Sequence, residues 1–485
     1  MRHKPIGKYN GITVVLSNPS RFDKASLLSS TGGWLFSEFL KPLSRYQCDI
    51  RLKEDKTPLL NNTKCILLLG QPAMHSWCPN TIYNTLNELR GTPLSYNGTP
   101  AIASYLPQDA ADIKNYEAEF NPQSFVVEDE SDRKNFGFWL SNDIHRIKLI
   151  LAHNGIPQHQ KPEYIIYPSS AVIIEILQTH KGETFFIDIE TDSELNILCF
   201  SFSFGLPYIY VVPCVNHNYE WAYQALPSIV RALGIAMHNN TTVAHNGSKF
   251  DFLVLADKYK IPPGLKLYDT LLAMHRCFPE VEKSLGHCCS MWTWLPFHKD
   301  EGGGGYNSEK QAKDLWAYCG KDVYAMVLIK EAIDRYAKTI PGLSASIKQA
   351  NDSIRPYLLM TLQGIRYEKH IIDDIWNEND RLMKQYLRML EILIGKENLT
   401  KIRGSGKSVM PTSNTQCCKY FHEMLGYPVI ATGKEKQDGT RNPSLGKKAI
   451  FKLRLKFENP VLDLIIAYRE IAKESSSLKF TPWKV

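Results

Sequence analysis

Phe185-Phe186-Ile187-Asp188-Ile189-Glu190-Thr191 sets two acids, two positions apart, into a run of bulky β-forming side chains. Such a run favours a strand, and alternate strand side chains point to opposite faces, so Asp188 and Glu190 share one face. Ile197-Leu198-Cys199-Phe200-Ser201-Phe202 and then Leu206 to Val212 read as the second and third strands of a hairpin-built sheet. Helical patterns cover Leu226 to Met237, Phe250 to Tyr259 and Lys310 to Tyr336, with a short strand at Thr242-Val243-Ala244-His245. From Lys161 to Tyr336 the chain therefore reads as a mixed α/β domain.

Further acids fall at the ends of these elements. Asn246-Gly247-Ser248-Lys249-Phe250-Asp251 carries an acid where a strand gives way to a helix, and Tyr318-Cys319-Gly320-Lys321-Asp322 places a tyrosine and an acid four apart, on one helix face. Carboxylates gathered into one site repel and resist ionisation unless cations neutralise them. All-oxygen donors suit Mg²⁺ or Mn²⁺, and two such ions about 4 Å apart can activate water and steady the leaving oxygen of a phosphodiester. The order and spacing of Asp188, Glu190, Asp251 and Asp322 resemble the three motifs of the DEDDy class of 3′–5′ exonucleases. That resemblance implies a ribonuclease H-like mixed sheet. It implies a first ion on Asp188, Glu190 and Asp322, and a second shared by Asp188 with Asp251 through water. It also makes Tyr318 the residue that orients the attacking water, and Thr191, Asn246 and Phe250 substrate-side residues. Asp269, in Tyr268-Asp269-Thr270-Leu271, matches an aspartate of such folds and is expected to be structural.

The whole chain has 485 residues, room for about three domains at about 150 residues each. Its 44% apolar and 22% charged content is ordinary globular usage, which excludes a disordered or fibrous chain. The longest apolar runs, Cys65 to Leu69 and Leu464 to Ala467, are far shorter than the ~20 residues of a membrane span. Ile12 to Leu16 is too short for a signal-peptide core. Eleven cysteines without such a signal read as reduced thiols, and a cytoplasmic location is expected, the host cytoplasm for a phage-encoded protein. His275, Cys277, His287, Cys288 and Cys289 lie close together in sequence but match no usual zinc spacing. The net charge of +7 is uneven: 24 basic against 15 acidic residues lie from Leu343 onward, leaving 33 against 35 before it. Such a surplus suits a polyanion.

Beyond Leu343 the pattern is mainly helical, at Ile354 to Gln363, from Tyr367 to Ile394, and through Lys473 after a basic loop at Thr432 to Leu445. Arg355 to Tyr367, with its Gly364-Ile365 pair, resembles the opening of the polymerase region of family A DNA polymerases. Ser413, Gln416, Leu425-Gly426-Tyr427-Pro428 and Tyr468 to Lys473 continue the resemblance through that family's thumb. Lys434 to Lys456 holds eight basic residues against two acidic, and Lys434, Lys436, Lys447 and Lys448 are expected to follow phosphates without reading bases. Gly406-Lys407-Ser408 lacks the earlier glycine of a phosphate-binding loop, since Lys401 stands there. The palm and fingers of the family would follow, but the sequence stops at Val485. This chain alone is therefore not expected to polymerise, and a separate palm and fingers subunit is a possible partner.

Val14 to Ser20, Gly32-Gly33-Trp34, Leu67 to Gly70, Leu89-Arg90-Gly91, Tyr96-Asn97-Gly98 and Ala103 to Pro107 resemble segments of the uracil-DNA glycosylase superfamily. Leu106-Pro107 replaces the family's histidine-proline and so loses a hydrogen-bond donor, and Asp23 is the candidate for its catalytic acid. This favours a glycosylase-like fold kept for binding.

The expected organisation is thus multi-domain α/β. Residues 1–115 form the glycosylase-like α/β/α domain, 116–175 a linker with connecting helices, 176–340 the exonuclease domain, and 341–485 a mainly α thumb-side polymerase region. The expected activity is proofreading 3′–5′ exonucleolysis with two Mg²⁺ or Mn²⁺ ions, on single-stranded and primer-template DNA, as in a phage-type replication enzyme. The alternatives are a uracil-directed glycosylase, a non-catalytic DNA clamp and an exoribonuclease, since the same four acids serve RNA trimming.

Overall fold

The computed structural model describes residues 2–5, 8–17, 41–44, 47–106, 136–302, 305–366, 368–403, 410–435 and 441–478. The first part of the expected linker, 116–135, together with Asp23, Pro107, Lys436 and the segment 406–408, lies outside them. The chain divides into two compact units, residues 1–363 and 364–484. Among the described residues no helix is long and apolar enough to cross a membrane, and all eleven cysteines are free.

The first unit contains two sheets. In the N-terminal one the strands run β1 (Arg2–His3), β3 (Asp49–Leu52), β2 (Ile12–Leu16), β4 (Cys65–Leu69), β6 (Thr99–Ser104) and β5 (Leu94–Tyr96) across the sheet. The four inner strands are parallel. Strands with helices on both sides are buried on both faces and so read as unbroken apolar runs, as Cys65 to Leu69 does. Helix Phe136–His153 lays Leu140, Ile144, Ile147 and Ile150 against one face, and helix Gln71–Trp77 lays Ala73, Met74 and Trp77 against the other.

The second sheet has the order β12 (Lys266–Asp269), β11 (Thr241–Ala244), β8 (Thr184–Thr191), β9 (Ile197–Ser203), β10 (Tyr208–Pro213) and β7 (Glu163–Ile166). β8, β9 and β10 form the antiparallel core expected of a hairpin-built sheet. β11 and β12 extend it in parallel on one side and β7 on the other. Phe185, Ile187 and Ile189 turn toward helices Ser170–Thr179, Leu226–Asn239 and Asp251–Asp257. The opposite face is crossed by the long helix Glu309–Ala337, which packs on β8, β9 and β10 and starts where Ser308 Oγ caps the Gln311 N–H. Helices Leu343–Asp352 and Ile354–Gln363 also belong to this unit, and Ile354 and Leu358 are buried in the same apolar cluster as β8.

The two sheet modules meet over buried cations. Arg90 pairs with Asp143 at 3.2 Å, stacks 3.7 Å from the Trp139 ring centre and donates to Ser290 Oγ, while Ser104 Oγ donates to Asp143 at 2.7 Å. Arg146 donates to the Thr293 carbonyl at 2.7 Å and stacks on Trp294.

In the second unit, helices Lys369–Ile394 and Pro460–Leu478 pack together over Leu390, Ile394, Phe421, Leu453, Leu462 and Ile465. Arg469 fixes the intervening segments by donating to the Pro411 and Leu445 carbonyls at 2.5 and 2.6 Å. The stretch expected as a basic loop instead contains a hairpin, β13 (Thr432–Glu435) paired with β14 (Arg441–Pro443). Its strands are too short to leave an alternation in the sequence.

Candidate functional site

Asp188 and Glu190 lie on the face of β8 that the long helix covers. One carboxylate oxygen from each and the Cys319 Sγ lie within 4.8 Å of one another. A β-bulge after Glu190 ends the regular β8–β9 ladder and leaves Thr191 half-buried at the rim. On the other edge of β8, pairing with β11 stops at Phe186, so the Ile189 N–H has no strand partner there. Asp251, the first residue of its helix, takes that donor at 3.1 Å and so stands beside both strand acids.

The turn that delivers Asp251 is held by a residue from β12. Asp269 is fully buried and accepts from the N–H groups of Asn246 at 2.8 Å, Ser248 at 3.1 Å and Leu271 at 2.9 Å. Asn246 has φ +61°, and a Cβ at Gly247 would lie 2.5 Å from that of Ala244, so this turn admits only glycine at 247. Phe250 is half-buried and packs against the apolar cluster beneath the sheet.

Asp322 comes from the buried stripe of the long helix, one turn beyond Tyr318. Both its oxygens are engaged: His298 Nε2 is 2.8 Å from Oδ1 and Lys299 Nζ 2.6 Å from Oδ2. Lys299 Nζ also donates to the Tyr318 hydroxyl. Cys319 Sγ lies 3.5 Å from Asp188 Oδ2, donating from the helix to the strand acid.

The electrostatics follow from this crowding. Burial, then the charges of Asp322, Asp251 and Glu190, push Asp188 well above the usual carboxylate range. Burial and the Asp322 charge raise Glu190 to about 8, and burial raises Asp251 to about 7 against its backbone hydrogen bonds. Asp322 is also opposed by burial, yet the hydrogen bond from His298 and the charge of Lys299 outweigh it and hold its pKa down. Burial and the Asp322 charge raise Tyr318, so its hydroxyl keeps its proton at neutral pH. Three carboxyls poised against ionisation beside one kept charged are a donor set that fits hard divalent cations. Burial pushes the Cys319 thiol well above its ordinary range.

The basic residues named from sequence lie in the second unit. Lys447 and Lys448 are exposed at the start of helix Lys447–Lys456, with Lys447 Nζ 3.2 Å from Glu470. Lys434 lies on β13. Sequence reasoning missed His298 and Lys299. They sit in the irregular segment between helix Leu285–Trp292 and the long helix, where periodicity carries no signal. Cys319 lies between Tyr318 and Asp322, where a single cysteine carries no spacing signal.

No protein-family model and no curated protein matches the sequence. Among solved structures, the fold overlaps the POL domain of Pol1 from M. smegmatis, in complex with DNA primer-template and dNTP, at 13% identity and a TM-score of 0.44, covering 65% of this chain and 49% of that one. It overlaps the catalytic core of RRP6 from Trypanosoma brucei at 11% identity and a TM-score of 0.34, covering 66% and 81%. Escherichia coli RNase D, an exoribonuclease involved in structured RNA processing, overlaps at 12% identity and a TM-score of 0.33, covering 63% and 75%. The chain spans about half the length of the Pol1 chain it matches. At this level of similarity, the chemistry must be argued from the chain's own residues.

Proposed function

We propose that this chain is a divalent-metal-dependent 3′–5′ exonuclease acting on DNA 3′ ends, the proofreading component of a family A replication polymerase. The observation that carries the reading is the meeting of Asp188 and Glu190 on β8 with Asp251, hydrogen-bonded between them, and Asp322 on the covering helix beside Tyr318. Asp188, Glu190 and Asp322 would hold one ion, and Asp188 with Asp251 a second. When bound, the ions supply an activated water and neutralise charge developing on the phosphate.

The chain's own groups orient and exclude. Tyr318 keeps its phenolic proton and presents a neutral hydroxyl that orients water and does not act as a base. Thr191 at the rim of β8, with Asn246 and Phe250 at the turn before Asp251, would border the terminal nucleotide. In the reaction the water oxygen bonds to phosphorus, the P–O3′ bond breaks and a proton passes to O3′, leaving a nucleoside 5′-monophosphate and a strand shorter by one. Lys434, Lys436, Lys447 and Lys448 would contact the duplex backbone, a role supported by the C-terminal charge surplus. The glycosylase-like reading assigns the N-terminal sheet a binding or scaffolding role, supported by its buried cation contacts with the nuclease module.

The test is incubation of the full chain with 5′-labelled single-stranded DNA and RNA of one sequence in Mg²⁺, Mn²⁺ or EDTA. Stepwise 3′ shortening of DNA with either ion, faster than of RNA, is expected. Faster RNA shortening would make the chain an exoribonuclease, and no shortening with either ion would refute the nuclease.

A further inference from the structure

The segment just before the long helix grips its chemical face. His298 and Lys299 take the two oxygens of Asp322, Lys299 also donates to the Tyr318 hydroxyl, and Glu301 pairs with Lys321. The Lys299 ammonium sits 4.5 Å from the Tyr318 ring centre. At Gly302 a Cβ would lie 3.0 Å from three atoms of that ring, so the backbone there runs flat against it. The next residue along from Lys299, Asp300, is itself held at 3.2 Å by Asn84 of the N-terminal sheet module.

A cation bound to Asp322 would meet a positive charge already on the same carboxylate. An ammonium 2.6 Å from Oδ2 and a divalent ion on that carboxylate would stand only a few ångströms apart. In a partly buried site that repulsion is substantial. Yet without the ammonium the Asp322 carboxylate would lose the charged donor on its Oδ2. Resting on the metal-site reading above, we infer that Lys299 is an internal counter-cation, filling the Asp322 side of the acid cluster in the metal-free protein and giving it up when a divalent ion binds. Lys299 is thus a positioning residue that tunes ion affinity and keeps the metal-free site folded. His298 stays on the other oxygen of Asp322 and orients it in both states.

The experiment is Mn²⁺ titration of the full chain by calorimetry, with thermal unfolding in EDTA and in saturating Mn²⁺, for wild type, Lys299→Met, Lys299→Gln, Lys299→Arg and Asp188→Asn. Both neutral variants should bind Mn²⁺ at least about tenfold more tightly, the scale expected for removing a unit charge a few ångströms from the ion. They should unfold at a lower temperature than wild type in EDTA, with the gap closing in Mn²⁺. Lys299→Arg should retain wild-type affinity. Folded neutral variants whose Mn²⁺ affinity is unchanged or weaker would overturn the inference while leaving the metal site intact. If wild type and Asp188→Asn bind Mn²⁺ alike, the metal-site reading itself fails.

Discussion

Replacing Asp251 with Asn should flatten the pH dependence of stability in the metal-free protein. Asp251 is only 3% exposed, and burial raises its carboxyl to about 7. Its unfolded value is near 4, and at ~1.4 kcal/mol per unit a difference of about three units corresponds to ~4 kcal/mol. The sign follows from which state holds the proton. The folded chain keeps it to higher pH, so this contribution is fully present below about pH 4, declines as pH rises, and is gone above about pH 7. Asn keeps an oxygen that can accept from the Ile189 N–H but has no proton to lose. Thermal unfolding in EDTA from about pH 4.5 to about pH 8.5 should therefore show a wild-type midpoint that falls by several degrees more than that of Asp251→Asn. Saturating Mn²⁺ at the high-pH end should restore the wild-type midpoint and leave the variant less affected. Parallel pH profiles for the two proteins would refute the reasoning, because the buried acid would then carry no folding penalty.

Three further outcomes can be checked separately. Arg90→Ala removes the ion-pair partner of the buried Asp143, which should cost about 3–5 kcal/mol in thermal unfolding, with part of it regained in Arg90→Met/Asp143→Leu; a loss under about 1 kcal/mol would count against the clamp between the sheet modules. Tyr318→Phe keeps the ring against Gly302 and removes the hydroxyl that orients water and accepts from Lys299, so kcat should fall about a hundredfold with only a small drop in the unfolding midpoint. Lys447→Ala with Lys448→Ala should weaken primer-template binding for all sequences alike and reduce the salt slope of log K by about two, and an unchanged slope would place the DNA elsewhere.

The core of the second sheet was legible because β8 to β10 are runs of bulky, mostly apolar side chains joined by short connections, which keeps their pairing local. Lys310 to Tyr336 was legible for the same reason, as one uninterrupted period over a helix observed at Glu309–Ala337. β7 and β12 left little trace. Glu163-Tyr164-Ile165-Ile166 is a four-residue edge strand whose partner lies over 40 residues further on, and Lys266-Leu267-Tyr268-Asp269 has a single fully buried apolar residue. In the site, Asp188 and Glu190 two apart on a strand, Asp251 at a helix start and Tyr318 and Asp322 one turn apart on a helix are spacings that the sequence shows directly. The partners of Asp322 come from irregular chain, and only the folded arrangement brings His298 and Lys299 to that helix.

Crystals grown in Mn²⁺ and measured at the manganese edge should give two anomalous peaks about 4 Å apart, bordered by Asp188, Glu190, Asp251 and Asp322. Manganese elsewhere on the chain, with these four carboxyls clear of it at saturating concentration, would contradict the central claim.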